Sequence, residues 1–253
     1  MVYYDQRGSG KTQVKNKTKP TDLTLAVLLE DLRQTIQYIK EKYQTQRVFL
    51  AGHSWGTMLG TQYVLKYPQD VVGYIGYGQV TETATQDRSW YQYLKATIEK
   101  KGHQRDIKKI NNVPADFPNI SRDEFTEASL VLSKLEQKYG YVKNNFMPIY
   151  RKSPVMGFKD GLLMNKAEKL NEKLVEEVFF QYNITDTTTY ELPIYYVLGR
   201  RDEWTSSAIA ADYFEKITAP KKGLYWIEDA GHFIDTDNPI DFCKTLKEIV
   251  GMV

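Results

Sequence analysis

The 253 residues, 42% hydrophobic and 26% charged, suffice for one folded unit with a real core, or one carrying a smaller insertion, and exclude a disordered chain. A formal net charge of +2, from 34 basic and 32 acidic side chains spread along the chain, excludes the global field that draws nucleic acid or an anionic membrane. One cysteine, Cys243, excludes an internal disulfide and is expected as a buried or half-buried residue of a last helix; without an apolar run of signal-peptide or bilayer length, a cytoplasmic protein is expected.

The chain opens on Val2-Tyr3-Tyr4, a short strand candidate, followed by Asp5-Gln6-Arg7-Gly8-Ser9-Gly10-Lys11-Thr12. The ending Gly-Lys-Thr invites a phosphate-loop reading. Such a loop needs glycine where Asp5 stands, and a carboxylate there repels the anion, so the nucleotide reading is rejected. Lys11, Lys15, Lys17 and Lys19 read as a solvated loop. Leu25, Leu28, Leu29, Leu32, Ile36 and Ile39 recur at helical spacing, with Asp22 placed to cap the helix. Val48-Phe49-Leu50-Ala51 is a continuous apolar run of the kind found in a buried parallel strand, and it leads into Gly52-His53-Ser54-Trp55-Gly56. Met58, Leu59, Tyr63, Val64 and Leu65 then follow a helical period until Tyr67-Pro68, and Val72 to Tyr77 forms the next strand. This βαβαβ alternation predicts an α/β protein with a mostly parallel, doubly wound sheet.

From about Thr81 to Tyr190 charges are denser, helical periods come in pieces, and Pro114, Pro118, Pro148 and Pro154 interrupt them. Residues 81–190 are therefore expected to form a mostly helical cap inserted into a core made of 1–80 and 191–253. Leu192 to Leu198 restores a buried strand, Ala208 to Ile217 a helix, and Gly223 to Ile227 a last strand. The 19 tyrosines and four tryptophans suit a pocket lined with amphipathic aromatic surface.

The G-x-S-x-G stretch at 52–56 sits where a nucleophile elbow belongs, between an apolar strand and a helix. Gly52 and Gly56 are expected where the turn leaves no room for side chains; Ser54 Oγ is then lifted into a pocket and the Trp55 backbone N–H is aimed at a developing oxyanion. A serine needs a base, and an imidazole works best when a carboxylate fixes its tautomer. Of the three histidines, His53 packs beside the turn and His103 lies in a charged part of the cap, whereas His232 follows the last strand. Asp202, on the loop after the strand at Leu198, completes an ordered Ser54, Asp202, His232 set, with Glu203 as fallback acid and Asp229 or Asp235 less suitable.

Together, Asp5-Gln6-Arg7-Gly8-Ser9-Gly10-Lys11-Thr12 and Gly52-His53-Ser54-Trp55-Gly56-Thr57 resemble the α/β-hydrolase superfamily, and within it the proline iminopeptidase-related branch. The resemblance covers the chain outside the cap. It implies an α/β-hydrolase fold, acyl-transfer chemistry through Ser54, His232 and Asp202, no metal or organic cofactor, and a small-molecule or short-peptide substrate; Asp5 and Arg7 become parts of a local polar network. A serine at the elbow argues against the carboxylate-nucleophile chemistries of epoxide hydrolases and dehalogenases. Members of that branch carry further strands and a His-Gly-Gly loop before the Asp-Gln-Arg-Gly strand, and this sequence contains no His-Gly-Gly. Since that loop supplies the second oxyanion donor, the resemblance implies a slow or inactive triad in the chain as given. An aminopeptidase releasing N-terminal proline or another small residue is the expectation, a carboxylesterase or lactonase the competitor, and a truncated, non-catalytic scaffold binding a small ligand the third reading. An aminopeptidase needs acidic residues facing Ser54 to hold the substrate ammonium, and the cap offers Glu82, Glu124 and Glu127 among others.

Overall fold

The computed structural model describes residues 1–16, 23–141, 174 and 176–252. Its elements in chain order are α1 (Gly10–Asn16), α2 (Leu25–Tyr43), β1 (Val48–His53), α3 (Trp55–Lys66), β2 (Val71–Tyr77), α4 (Thr83–Lys101), α5 (Gln104–Asn111), α6 (Arg122–Tyr139), β3 (Ile194–Gly199), α7 (Ser207–Lys216), β4 (Lys222–Ile227), α8 (Ile234–Asp237) and α9 (Pro239–Gly251). The four strands pair in parallel in the order β1-β2-β3-β4.

Alternation along β3 explains the two layers of helices. Ile194, Tyr196 and Leu198 point into one core with Leu28, Leu32 and Ile36 of α2, Met58, Leu59, Tyr63 and Val64 of α3, and Tyr213 and Phe214 of α7. Tyr195 and Val197 point the other way, against Ile234 of α8 and Phe242 and Ile249 of α9. Both faces of β3 are thereby buried, which is why its sequence is a continuous apolar run rather than an alternating one.

Val2-Tyr3-Tyr4 is not a strand, contrary to the sequence expectation: among the described residues the sheet ends at β1, and Val2 and Tyr3 are exposed. β-propensity alone does not hold a strand that has no ladder to join. At the same edge, β1 is half-buried and Ala51 is exposed, where full burial was expected. The following turn is organised by Asp5, whose carboxylate accepts the Lys11 backbone N–H at 2.9 Å while its carbonyl accepts the Thr12 hydroxyl at 2.7 Å. Gly10 has φ +49, and a Cβ there would lie 2.5 Å from the Asp5 carboxyl carbon. Asp5 thus occupies the space that a phosphate loop leaves to its anion, while Arg7 reaches across to Asp31 at 2.7 Å.

Asp22 lies outside the described residues; the N-cap of α2 is Thr24, whose hydroxyl accepts the Val27 N–H at 3.2 Å. Cys243 does sit in the last helix, but it is exposed, because α9 turns Phe242, Thr245 and Ile249 inward and position 243 falls off that stripe. No helix among the described residues is long and apolar enough to cross a membrane.

Between β2 and β3, helices α4, α5 and α6 close around a second core of Trp90, Tyr91, Leu94, Ile98, Ile110, Phe117, Phe125 and Leu132. Pro148 and Pro154 lie outside the described residues. The inward stripe of α4 runs Thr83, Gln86, Trp90, Tyr91, Leu94, Ile98, a helical period that ends at Gly102. Leu94 is fully buried. Leu94→Ala is expected to cost about 2–5 kcal/mol of stability by removing its contacts and leaving a cavity, read from the shift in a urea unfolding midpoint.

Candidate active site

Ser54 stands between β1 and α3 with φ 50 and ψ −118, a backbone conformation that is costly for any residue but glycine. Hydrogen bonds hold it: its N–H donates to the Tyr77 carbonyl at 3.1 Å, and its own carbonyl accepts the Thr57 N–H at 2.8 Å and the Thr57 hydroxyl at 2.6 Å. Gly52 is required by this turn, since a Cβ would meet the Gly56 carbonyl oxygen at 2.5 Å; at Gly56 a Cβ would meet nothing within 4 Å. The expected collision therefore exists at Gly52 alone, because position 56 already faces outward from α3. Trp55 is the first residue of α3, so its N–H has no partner within the helix. Its indole N–H donates to the Gln6 side chain at 3.0 Å, tying the Asp-Gln-Arg-Gly turn to the elbow.

Asp202 follows β3 and His232 follows β4, and their buried side chains meet, Oδ2 to Nδ1, at 3.0 Å. Thr205 joins them: its N–H donates to Asp202 Oδ1 at 3.0 Å, its hydroxyl donates to Oδ2 at 2.8 Å, and the same oxygen lies 3.2 Å from His232 Nδ1. Burial pushes the Asp202 carboxyl up, yet the neighbouring His232, its hydrogen bond and the two from Thr205 outweigh this and hold it below the ordinary carboxylate range. An ionised Asp202 accepting at Nδ1 leaves Nε2 of His232 free to take a proton. Ser54 Oγ forms no hydrogen bond to His232 among the described residues.

His53 lies under this pair. Its Nε2 donates to the His232 carbonyl at 2.8 Å, and its ring stacks on Tyr77 at 4.7 Å. Burial, reinforced by the proximity of His232, lowers its pKa to about 4, so His53 is neutral and pins the loop by that one donated proton. From the other side, Trp204 lies 5.1 Å from the His232 ring and stacks on Trp90 at 5.5 Å, whose indole N–H donates to buried Glu136 at 2.8 Å.

The remaining acidic and basic candidates lie elsewhere. His103 is exposed at the start of α5, and Glu203 is half-buried, its pKa raised by burial and by Asp202. Asp229 and Asp235 are exposed. Among the described residues no group of three His, Cys, Asp or Glu side chains is arranged to hold a metal ion.

A cavity of about 90 Å³ opens in front of Ser54, walled by Trp55, Met58, Val178, Phe179, Trp204 and Thr205. Glu82, Glu124 and Glu127 do not line it: Glu82 bonds Asn183, Glu124 closes the capping box of α6 with Ser121, and Glu127 is exposed. The carboxylate in the cavity is Asp87 of α4. Its Oδ2 is shut off from solvent with no hydrogen-bond partner among the described residues, and burial raises its pKa to about 7. The sequence carries one sign of it, a charge lying on the inward stripe of α4 between Gln86 and Trp90.

A parallel sheet wound on both faces, with serine at a strand-to-helix elbow and helices entering between β2 and β3, defines an α/β hydrolase. The solved proline iminopeptidase of Mycobacterium smegmatis shares this fold, with a TM-score of 0.62 at 16% identity over 99% of this chain and 79% of that one. The chain belongs to the serine aminopeptidase, S33 family, which it matches over residues 1–238. It is 23% identical to the probable aminopeptidase YbaC of Bacillus subtilis (strain 168), over 98% of this chain and 78% of that protein. It is also 23% identical to the proline iminopeptidase of Heyndrickxia coagulans, over 100% of this chain and 82% of that protein.

Proposed function

We propose that this hydrolase is a cytoplasmic aminopeptidase working by acyl transfer, with residues 81–190 as a cap over Ser54. Ser54 Oγ attacks the scissile carbonyl and passes its proton to Nε2 of His232; Asp202 fixes the imidazole tautomer and stabilises the imidazolium, and the Trp55 N–H holds the oxyanion. His232 then protonates the departing amine. In the second half-reaction it takes a proton from the water that attacks the Ser54 ester, then returns that proton to Ser54 Oγ as the ester bond breaks and the acid leaves.

One observation favours an aminoacyl substrate over a plain ester or lactone: Asp87 in the Ser54 cavity has an oxygen with no hydrogen-bond partner among the described residues. A buried carboxylate without a partner is costly, and a substrate ammonium satisfies it. The small cavity agrees with a small N-terminal residue, and the names of the two relatives, an aminopeptidase and a proline iminopeptidase, point the same way.

The test is labelling with a fluorophosphonate probe and peptide mapping, on this chain and its Ser54→Ala variant. Label on Ser54, absent from the variant, is the expected result. A folded chain that takes no label would replace acyl transfer with the non-catalytic scaffold reading.

A further inference from the structure

Gln86 and Asp87 are neighbours on the N-terminal turn of α4, but they face different tasks. Both border the cavity, but Asp87 brings an oxygen without a hydrogen-bond partner among the described residues, whereas the Gln86 side chain, 2% exposed, is fully engaged. Its Nε2 donates to the Gln79 carbonyl at 3.0 Å and to the Thr205 carbonyl, and its Oε1 accepts the Thr81 N–H at 2.9 Å. Two backbone acceptors and one backbone donor, all removed from water, are satisfied by one primary amide, which offers two donors and a carbonyl in a fixed plane. Gln79 and Thr81 belong to the segment leading out of β2; Thr205 belongs to the loop that follows β3. Gln86 therefore bolts the first cap helix to the loop that carries Asp202.

Thr205 is not a passive end to that bolt. Its N–H and hydroxyl hold both oxygens of Asp202, and its carbonyl begins the peptide to Ser206, which sits at φ 20 and ψ 95. A non-glycine residue in that region is strained and stays there only if its surroundings hold it. Gln86 is a contact that holds this peptide. Without it the peptide relaxes, Thr205 turns, and Asp202 loses the donors that aim it at His232 Nδ1.

We infer that Gln86 is a positioning residue for the Asp202–His232 pair, acting through Thr205, so that the helical turn which meets the substrate also sets the orientation of the base. This rests on the acyl-transfer reading above. Gln86 also borders the cavity in front of Ser54, but its amide is spent on Gln79, Thr81 and Thr205, so replacing it with a side chain of the same length slows proton removal while leaving probe binding intact.

The experiment compares the wild type with Gln86→Met, which keeps the length of the side chain without its amide. Fluorophosphonate labelling gives the inactivation rate and the probe affinity separately. Proton NMR of histidine-labelled protein gives the downfield resonance of the Nδ1–H that His232 shares with Asp202. The expected result is a labelling rate at least about tenfold lower at unchanged probe affinity, within the range that general-base catalysis supplies, together with loss of the protected downfield proton to exchange. A folded Gln86→Met with wild-type labelling rate and wild-type resonance overturns the inference, as does a change in probe affinity alone. Should Gln86→Met fail to fold, Gln86→Asn, which draws both donors back by one methylene, is read in the same way and by the same criteria. If the wild type takes no label, acyl transfer fails, and the resonance alone decides whether Gln86 holds the pair.

Discussion

Asp202→Asn is expected to lower kcat by on the order of 10⁴-fold while KM stays within a few-fold, the size of effect that a wrong histidine tautomer produces in serine hydrolases. Asp202 accepts three hydrogen bonds: Oδ1 takes the Thr205 N–H, and Oδ2 takes the Thr205 hydroxyl and the His232 Nδ1 proton. Asparagine can keep its carbonyl oxygen on the Thr205 N–H, but it then turns an NH₂ group towards Thr205 Oγ1 and His232 Nδ1. The imidazole must accept at Nδ1, its proton moves to Nε2, and in the proposed mechanism Nε2 can no longer receive the proton of Ser54. Stability gives an independent check. The Asp202 carboxyl is held below its ordinary range, so its contribution is complete above the unfolded carboxylate value of about 3.9 and is lost as pH falls through the lower folded value. Thermal melts of the Asn variant should lack that acid-side loss. A kcat near wild type in Asp202→Asn would remove Asp202 from the mechanism and make Glu203 the acid to test.

The strands at Val48, Ile194 and Lys222 are legible because each is a short apolar run bounded by turn residues, although of the three only β3 is buried along its whole length. Val2-Tyr3-Tyr4 has the same look and fails for a reason outside its own residues: strand structure depends on a neighbour, and among the described residues the sheet stops at β1. Exposure at Cys243 and open space at Gly56 are likewise properties of what packs nearby, invisible in a motif. For the candidate site, chain order and strand ends direct attention to Ser54, Asp202 and His232, since elbow and loop chemistry follow from local sequence. Thr205, Gln86, Trp204 and Asp87 carry no such signature. Thr205 and Gln86 matter through hydrogen bonds between segments 119 residues apart. The acids singled out in the cap, Glu82, Glu124 and Glu127, illustrate the same limit, because an acidic residue on a helix says nothing of which way it faces until the stripe of that helix is fixed.

That stripe makes Asp87 the most informative position for substrate choice. In the proposed reaction, Asp87→Asn should cut kcat/KM for a small aminoacyl p-nitroanilide by on the order of 10²- to 10⁴-fold, as truncating one partner of a buried ion pair costs about 3–5 kcal/mol. Hydrolysis of the N-acetylated counterpart should change little or improve, since it brings no ammonium and no longer faces a desolvated carboxyl. The wild type adds a pH signature. Burial raises the Asp87 carboxyl to about 7, so below that pH it is neutral and cannot act as counter-ion, while above it the charged form is available. The substrate α-amino group loses its own proton near about 8. The ratio of kcat/KM for free-amine over N-acetylated substrate should therefore climb as pH passes about 7 and decline once the amine is neutral, and taking the ratio cancels whatever pH dependence the acyl-transfer steps share between the two substrates. In Asp87→Asn the climb near 7 should vanish. Equal losses on both substrates would show that Asp87 shapes the cavity rather than reading the ammonium, and an N-acetylated or simple ester substrate preferred by the wild type at every pH would turn the assignment from aminopeptidase to esterase with Ser54 chemistry intact.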